Sequence, residues 1–328
     1  VEPGKQIFYC FGCGKGGNVI HFISLAERLD FADAVKLLAD RAKIALPESD
    51  DPREKERTKL RQQVQDINRI AARFFYEALR SGQGEAAAEY LRKRGITGDT
   101  VRKFGLGYSY DGWDNLYEHL KSQGISDEAM LASGLVIKGS SGRLFDRFRG
   151  RLMFPIFDIR GTVIGFGGRV LDDSLPKYMN SPETVLYNKR KHLYALNFAK
   201  NNGGDQIIVV EGYMDAISLH QHGITNVVAS LGTALTDSQA RLLKKYTDEV
   251  IISYDADTAG QAATLRGLET LSDAGCDVRV LTLPEGRDPD DYVREYGADK
   301  FRWLANNALP LVEYKIRVIR KQHDLSAT

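Results

Sequence analysis

The sequence is poor in cysteine and lacks any long apolar run. Its 328 residues include three cysteines, and only two of them are close together, which excludes the disulfide framework of a small secreted protein. No apolar stretch approaches the ~20 residues of a membrane-spanning helix, and no secretory signal opens the chain. These absences predict a protein of the reducing cytoplasm that has no membrane contact.

A strong excess of charge of either sign is also missing. The formal net charge is +1, so bulk charge does not predict a nucleic-acid binder, and only the local distribution of charge can do so. The composition is 43% hydrophobic and 27% charged, as in an ordinary globular protein. A chain of this length forms two or three domains.

Changes in the residue pattern divide the chain into five regions. The third region, residues 63–202, contains predicted strands at Arg151–Phe157, 162–166 and 169–171. A long helix begins in the second region, residues 47–62, and carries an apolar stripe that is typical of core packing. The regions are 1–46, a glycine-rich knuckle and helices; 47–62, an acidic linker that includes the polar start of the long helix; 63–202, an α+β unit; 203–287, βα repeats; and 288–328, helices.

The βα repeats predict the fold class. Four apolar runs, near 206–210, 226–230, 249–254 and 278–283, alternate with helical patterns. Such runs are typical of a parallel sheet that is covered by helices on both faces. We therefore expect an α/β protein with this sheet, preceded by an α+β subdomain and followed by helices.

Acidic residues follow three of these four strands. Glu211 follows the first, Asp255 and Asp257 follow the third, and Asp288 and Asp290 come after the fourth. The carboxyl ends of parallel strands share one edge of the sheet, where ligands bind. Carboxylates gathered there repel one another unless a cation lies between them, and hard oxygen ligands favour Mg²⁺ or Mn²⁺.

A plainer interpretation of these acids stays open. Asp257 can cap the following helix while Asp255 is simply solvated. Asp215 and Asp291 are not included among the ligands: Asp215 can face along its helix into solvent, and Asp291 can be an ordinary charge in the first turn of a helix.

The glycine-rich knuckle contains Cys10 and Cys13. A Cys-x-x-Cys pair in such a knuckle is one half of a zinc-ribbon site. Gly12, Gly14 and Gly17 also spell the dinucleotide-binding pattern G-x-G-x-x-G, but no βαβ unit surrounds it. A plain glycine turn with buried thiols is the remaining alternative.

Basic residues concentrate in the α+β unit and alternate with aromatic residues. Arginine binds phosphate through its forked guanidinium, and aromatic rings stack on bases. A solvated strand face is the alternative for any single arginine. The cluster comprises Arg143, Arg147, Arg149, Arg151, Arg169, Lys177, Lys189, Arg190 and Lys191, with Phe145, Phe148, Tyr178 and Tyr187 between them.

Several motifs resemble a known family. Glu211 and the Asp255-x-Asp257 pair resemble the Toprim domain of primases, topoisomerases and some nucleases. Further motifs resemble bacterial replicative primase, in that family's order and over essentially the whole chain. They are FRGR at 148–151, GFGGR at 165–169, KYMNSPET at 177–184, EGYMD at 211–215, LGTA at 231–234, DADTAG at 255–260 and DPDD at 288–291.

The resemblance implies a Toprim-type fold and a specific activity. That activity is DNA-directed RNA polymerase action, in which metal-dependent nucleotidyl transfer builds short RNA primers on single-stranded DNA. Glu211, Asp255 and Asp257 match the family's catalytic and metal-binding set, and Asp288 and Asp290 match further metal positions. The residues implied in binding template or NTP are Arg147, Arg149, Arg169, Lys177, Tyr178, Asn180 and Lys189.

The resemblance also implies cofactors and partners. Mg²⁺ or Mn²⁺ is expected at the acids, and the partners are single-stranded DNA, NTPs, the RNA primer and a replicative helicase, which the family contacts through a carboxyl-terminal domain absent here. The protein is expected to be a monomer. The family's zinc ribbon uses an upstream Cys-x-x-His pair that this chain lacks, so Cys10 and Cys13 form an incomplete site, with Zn²⁺ expected in the full-length protein.

Three other functions remain as alternatives. The Asp255-x-Asp257 pattern also resembles the opening of haloacid-dehalogenase phosphatases, with Asp255 as the nucleophile and Asp290 and Asp291 as the distal metal pair. Ala259 departs from that family's usual Thr or Val, and Glu211 would have no role. A Toprim nuclease and a non-catalytic nucleic-acid binder are the other two.

Overall fold

A computed structural model describes most of the chain as two compact units, Val1–Thr58 and Lys59–Thr328. Within the described part, no helix is both long and apolar enough to cross a membrane. The side chains of 258–264 and 321–322 are outside the description. The residues described are 1–27, 29, 31–44, 51–200, 206–232, 234–254, 258–284 and 287–322.

The first unit contains a small hairpin and two helices. Strands β1 (Ile7–Tyr9) and β2 (Gly16–Asn18) pair antiparallel and are followed by helices α1 (Val19–Ala26) and α2 (Phe31–Ala42). Asn18 caps α1 because its Oδ1 accepts the N–H of His21 at 2.9 Å. The glycines of the knuckle thus belong to an antiparallel hairpin, and the dinucleotide-binding interpretation is wrong.

The second unit begins with helices around a small antiparallel sheet. Helix α3 starts at Pro52, so residues 52–62 of the predicted linker are helical, as their charged, helix-favouring composition allows. The helices are α3 (Pro52–Leu79), α4 (Glu85–Lys93), α5 (Gly98–Phe104), α6 (Asn115–Ser122) and α7 (Asp127–Ser133). The strands are β3 (Gly107–Ser109), β4 (Val136–Lys138), β5 (Leu144–Asp146), β6 (Arg151–Phe157), β7 (Val163–Val170) and β8 (Tyr178–Asn180).

The antiparallel sheet has the order β3-β6-β7-β8, and β4 pairs with β5 in a separate hairpin. Strand β7 is continuous, so the predicted break between 162–166 and 169–171 is wrong. The glycines of β7 leave room for neighbouring side chains. A Cβ on Gly168 would lie 2.8 Å from the Phe148 ring, and one on Gly167 would lie 2.6 Å from the Tyr213 ring.

The βα repeats form the predicted parallel sheet. Its order is β10-β9-β11-β12-β13, in which the first four strands are parallel and β13 is an antiparallel edge strand. The strands are β9 (Gln206–Val210), β10 (Val227–Ala229), β11 (Glu249–Ser253), β12 (Asp277–Val280) and β13 (Leu309–Pro310). The helices are α8 (Leu196–Ala199), α9 (Tyr213–Gln221), α10 (Asp237–Lys244), α11 (Thr258–Asp273), α12 (Pro289–Tyr296), α13 (Ala298–Asn306) and α14 (Leu311–Gln322).

Helices cover both faces of this sheet, as predicted. Successive side chains of a strand point to opposite faces. Ile207 and Val209 accordingly pack with residues of α8, α10, α11 and α14. Ile208 and Val210 pack with residues of α9, α12 and α13, and this second core continues into the antiparallel sheet through Phe154.

Tyr213 joins the two sheets. Its ring stacks on Phe154 with centroids 4.9 Å apart, and its hydroxyl donates to Asn180 Oδ1 at 2.6 Å. Burial raises the pKa of the Tyr213 hydroxyl well above its ordinary value. The buried ring therefore fixes the first turn of α9 against β7 and β8, which places the end of β9 beside the antiparallel sheet.

Replacing Gly167 with Ala tests this junction. The new Cβ would meet the Tyr213 ring, which cannot move because it is stacked and hydrogen-bonded, so we expect a loss of about 1–3 kcal/mol in the free energy of unfolding. Gly98→Ala is the matched control: a Cβ at Gly98 meets nothing within 4 Å. Urea unfolding of both variants measures the difference, and equal stability would contradict the assignment.

Candidate active site

Glu211 lies at the carboxyl edge of the parallel sheet. Val210, which precedes it, pairs in register with Ala229 of β10 and Ser253 of β11. Burial raises the pKa of the Tyr254 hydroxyl, and the neighbouring Glu211 carboxylate raises it further. Negative charge on Glu211 thus acts on the end of β11. Asp255 and Asp257, the two acids predicted to follow β11, lie outside the described residues.

Asp215 holds the turn that follows Glu211. It is buried, with 9% of its surface exposed, so the expectation that it faces solvent is wrong. Its Oδ2 accepts the Gly212 N–H at 3.1 Å, and its Oδ1 accepts the Asp290 N–H at 3.3 Å. Because one carboxylate binds both backbone groups, the turn after β9 is tied to the start of α12.

Three more acids gather at the start of α12. Asp288 is the N-cap residue, and its side chain accepts the Asp291 N–H at 2.6 Å. Carboxylate oxygens of Asp288, Asp290 and Asp291 lie within 4.8 Å of one another. Burial raises the pKa of Asp288, and the two neighbouring carboxylates raise it further. Asp291 lies in the first turn of the helix, as predicted.

Asp290 is buried among arginines. Only 1% of its surface is exposed, and its Oδ2 accepts from Arg94 Nη1 at 2.7 Å while its Oδ1 accepts from Arg294 Nε at 3.0 Å. Burial disfavours the charged form of Arg94, but Tyr90 and Asp290 outweigh this effect and raise the pKa of Arg94 above its ordinary range. Asp290 is therefore held as an ion pair by a residue of the preceding subdomain.

This donor set suits a hard divalent cation. Clustered carboxylate oxygens are the ligands that Mg²⁺ and Mn²⁺ prefer. Burial is the main cause of the raised pKa of Asp288, and the charges of Asp291 and Asp290 add to it, so a bound cation would favour the ionised form. The part that each acid plays in holding metal stays a prediction, since Asp290 already has two arginine partners.

A stacked basic cluster lies at one end of the antiparallel sheet. The Arg169 guanidinium carbon is 4.3 Å from the Tyr90 ring centroid and 5.9 Å from that of Tyr178. Burial and then Tyr90 raise the pKa of the Tyr178 hydroxyl to about 12. Arg94 approaches the same Tyr90 ring at 5.9 Å. Tyr90 therefore lies in a continuous series of contacts from Arg169 to the acids of α12.

Arg149 belongs to a second stack nearby. Its guanidinium lies over the Trp113 ring, 4.2 Å from the centroid, and its Nη1 donates to the Asp146 carbonyl oxygen at 2.5 Å. Asp146 is 3% exposed, and its carboxylate accepts the N–H groups of Leu116 and Tyr117, both at 2.8 Å. Burial, opposed by these hydrogen bonds, raises the pKa of Asp146 to about 6.

Other predicted binding residues are dispersed or serve the fold. Asn180 accepts from Tyr213 and donates to the Leu231 carbonyl oxygen at 3.0 Å. Lys177 and Lys189 are exposed. The backbone carbonyl oxygen of Lys189 accepts a hydrogen bond from the Gln239 side chain of α10. Arg147 is half-buried, and burial lowers its pKa.

Some members of the predicted basic cluster are structural. Arg151 is 8% exposed and donates to the carbonyl oxygens of Gly168 and Pro176. Phe148 and Tyr187 are core residues. Alternation of basic and aromatic residues in sequence thus does not separate a binding residue from a buried one.

Cys10 and Cys13 are both exposed in the hairpin of the first unit. Hydrogen bonding to Cys13 is the main cause of the lowered pKa of the Cys10 thiol. Structural zinc requires four ligands. In the stretches that the structure describes, no third metal-ligating side chain joins this pair, so these residues alone do not fit a structural zinc ion.

Tyr90, Arg94 and Trp113 were not predicted from the sequence. Arg94 and Asp290 are 196 positions apart, and Tyr90 lies on an ordinary amphipathic helix, so neither carries a local signal. Trp113 follows Gly112, and a glycine is typical of a turn and does not mark a binding residue.

Three protein families match parts of the chain. A CHC2 zinc finger family matches residues 1–54. The amino-terminal domain of the DNA primase catalytic core matches 74–200, and a Toprim-like family matches 208–293. The predicted Toprim-type fold is thereby confirmed.

Individual relatives agree with these families. A DNA primase of Clostridium acetobutylicum is 50% identical over 317 residues, which are 96% of this chain and 53% of that protein. The chain thus spans about half the length of the curated relatives that it matches.

Solved structures are similar over most of the chain. A DNA primase domain from Pseudomonas aeruginosa is 44% identical with a TM-score of 0.75, covering 81% of this chain and 85% of that one. A DnaG primase catalytic domain bound to single-stranded DNA is 39% identical with a TM-score of 0.74, covering 82% and 89%.

The raised pKa of Asp146 predicts a pH-dependent stability. Native Asp146 binds its proton below about pH 6, whereas the unfolded residue does so only below about pH 4. Between these values the native state binds more protons, so the contribution of Asp146 to stability falls as pH rises, by on the order of 2–3 kcal/mol in total.

Carboxyl NMR titration measures the midpoint directly, and urea unfolding between pH 4 and pH 7 measures its consequence. Asp146→Asn should remove this part of the pH dependence, whereas the exposed control Asp273→Asn should keep it. A midpoint near 4 for Asp146 would contradict the assignment.

Proposed function

Because the chain belongs to the bacterial DNA primase family, we propose that it carries the nucleotidyl-transfer activity that builds short RNA primers on single-stranded DNA. The observation that carries this proposal is the contact between a carboxylate cluster and a stacked basic cluster. The Arg94–Asp290 ion pair, at 2.7 Å, joins them. Phosphoryl transfer depends mainly on positioning and on neutralising charge, and this arrangement supports both.

In the proposed reaction, the 3′-hydroxyl of a primer or first nucleotide attacks the α-phosphate of an incoming NTP. The new O–P bond forms as the bond between the α-phosphorus and the oxygen that bridges it to the β-phosphate breaks. Pyrophosphate leaves, and the hydroxyl proton passes to water. Glu211, Asp255 and Asp257, together with Asp288 and Asp290, would hold Mg²⁺ or Mn²⁺. The cation would lower the pKa of the attacking hydroxyl and neutralise charge on the leaving group.

The basic cluster would position the substrates. Arg169 is fixed between Tyr90 and Tyr178, and a guanidinium held in this way loses little conformational entropy when it binds a phosphate. Asp215 would keep the Glu211 turn in place by holding the Gly212 N–H and the start of α12 together. Arg149, Lys177 and Lys189 would contact the template or the NTP.

Family membership also supports proposals about partners and location. We infer that single-stranded DNA and NTPs are the substrates, and that the protein acts in the cytoplasm within a primosome. A replicative helicase would be a further partner. Zn²⁺ would bind where Cys10 and Cys13 meet two further ligands.

Glu211→Gln tests the proposed activity. The substitution keeps the size of the side chain and removes its charge, so RNA synthesis on a single-stranded DNA template with NTPs and Mg²⁺ should fall by roughly 100-fold or more. Template affinity should change little because the carboxylate makes no favourable contact with phosphate. Asp255→Asn should behave in the same way.

Glu128→Gln is the matched control, since Glu128 is exposed in the first turn of α7, and it should retain full synthesis. Substantial synthesis by Glu211→Gln would contradict the assignment. A covalent phosphate on Asp255 without template-dependent RNA would favour a phosphatase instead, and cleavage of DNA would favour a nuclease.

A further inference from the structure

Residues 189–191 form a turn that exposes three consecutive cations. We call it the basic turn, and it consists of Lys189, Arg190 and Lys191. Within the described ranges, none of these three side chains forms an ion pair with an acid. Adjacent like charges repel one another, so a surface of this kind is favourable where an anion binds to it.

The first turn of α10 holds the backbone of the basic turn. The Gln239 Nε2 donates to the carbonyl oxygens of Lys189 and His192, at 3.0 Å and 2.8 Å. The Thr236 hydroxyl donates to the Arg190 carbonyl oxygen at 2.6 Å. Three carbonyl oxygens in four residues therefore bind to α10, while the three cationic side chains remain exposed.

Gln239 has a second role besides capping its own helix. Its Oε1 accepts the Thr236 N–H at 3.0 Å, which completes the capping box at the start of α10. A glutamate at this position forms the same box, but it lacks side-chain N–H groups. The amide nitrogen of Gln239 donates to the basic turn, and because the residue has 0% exposure, water cannot replace these bonds.

The basic turn lies beside the carboxyl edge of the parallel sheet. Shortly after the turn, Tyr194 exchanges two backbone hydrogen bonds with Ala229, at 2.9 Å and 3.1 Å. Ala229 is the last residue of β10, and it also pairs with Val210, which precedes Glu211. The segment that carries the basic turn therefore passes next to the strand ends that carry the candidate site.

We propose that Gln239 is a positioning residue, which fixes the basic turn so that its cations bind phosphate groups at this edge of the sheet. The ligand chemistry is phosphate, from an incoming nucleotide or from a nucleic-acid backbone, because lysine and arginine both bind it. A turn that is fixed beforehand loses little conformational entropy on binding. The inference rests on the proposed function and adds to it a buried residue that acts through another segment.

Limited proteolysis with trypsin tests the positioning role, since trypsin cleaves after lysine and arginine. Gln239→Met keeps the length of the side chain and removes its hydrogen bonds, and Gln239→Glu keeps the capping acceptor and removes the two donors. Cleavage after residues 189–191 should become roughly ten-fold faster in both variants. Cleavage after Arg143, in the β4–β5 hairpin, is the internal standard and should not change. An unchanged rate at the basic turn would overturn the proposal.

Ser126→Ala is the matched control for the loss of a helix cap. The Ser126 side chain caps α7 through the Ala129 N–H at 3.3 Å, and its removal should leave cleavage at the basic turn unchanged. Equal acceleration by Ser126→Ala would show general loosening of the chain and overturn the specific role of Gln239. Circular dichroism and the Tm check that each variant is folded.

Binding measurements connect the basic turn to its ligand. Gln239→Met should weaken binding of an NTP, of a single-stranded oligonucleotide, or of both, roughly ten-fold. Weakening for one ligand alone assigns the phosphate to that source. In a chain with alanine at all three positions 189–191, Gln239→Met should have little further effect. Unchanged affinity for both ligands, or losses that add in full, would overturn the proposal.

Failure of this proposal is distinguishable from failure of the proposed function, because proteolysis reports on the turn without any reaction. Unchanged cleavage in Gln239→Met, when the unmodified chain makes primers, would overturn the role of Gln239 alone. Absence of primer synthesis by the unmodified chain, when its basic turn resists trypsin, would overturn the proposed function.

Discussion

The buried carboxylate of Asp290 is the constraint on which the arrangement of the candidate site depends. An ionised group with 1% exposure is stable only when it is paired and hydrogen-bonded. Arg294 supplies one partner from the same helix, but the other, Arg94, comes from the end of α4 in the preceding subdomain. Burying this charge therefore requires the two subdomains to meet at one place.

The burial of Asp290 also brings carboxylate groups and arginine side chains close together. Asp215 binds the Asp290 N–H and the Gly212 N–H. The position of α12 therefore determines the position of the turn that contains Glu211. On the other side, Arg94 approaches the Tyr90 ring, which also carries Arg169. A nucleotide bound between these groups would meet fixed positive charge on one side and carboxylates able to hold a cation on the other.

The sequence predicted the parallel sheet and the place of Glu211, because apolar runs and strand-end acids are local patterns. The predicted break in β7 is wrong, because the glycines that leave room for Phe148 and Tyr213 look like turn residues in isolation. Strand β13, a two-residue edge strand that includes Pro310, was not predicted. Asp215 looked like an exposed helical charge because its partners are backbone groups that no sequence pattern marks. The Arg94–Asp290 pair spans 196 positions, and only the folded chain brings these residues together.

A double-mutant cycle on Arg94 and Asp290 tests this ion pair between the two subdomains most directly. The free energy of unfolding in urea is measured for Arg94→Gln, Asp290→Asn and the double variant. Arg94→Gln should cost on the order of 3 kcal/mol because it leaves a buried charge with one fewer partner. The double variant should cost less than the sum of the single variants, by about 1–3 kcal/mol. Losses that add to within about 0.5 kcal/mol would show that the two residues are not coupled, and would contradict a site assembled by their ion pair.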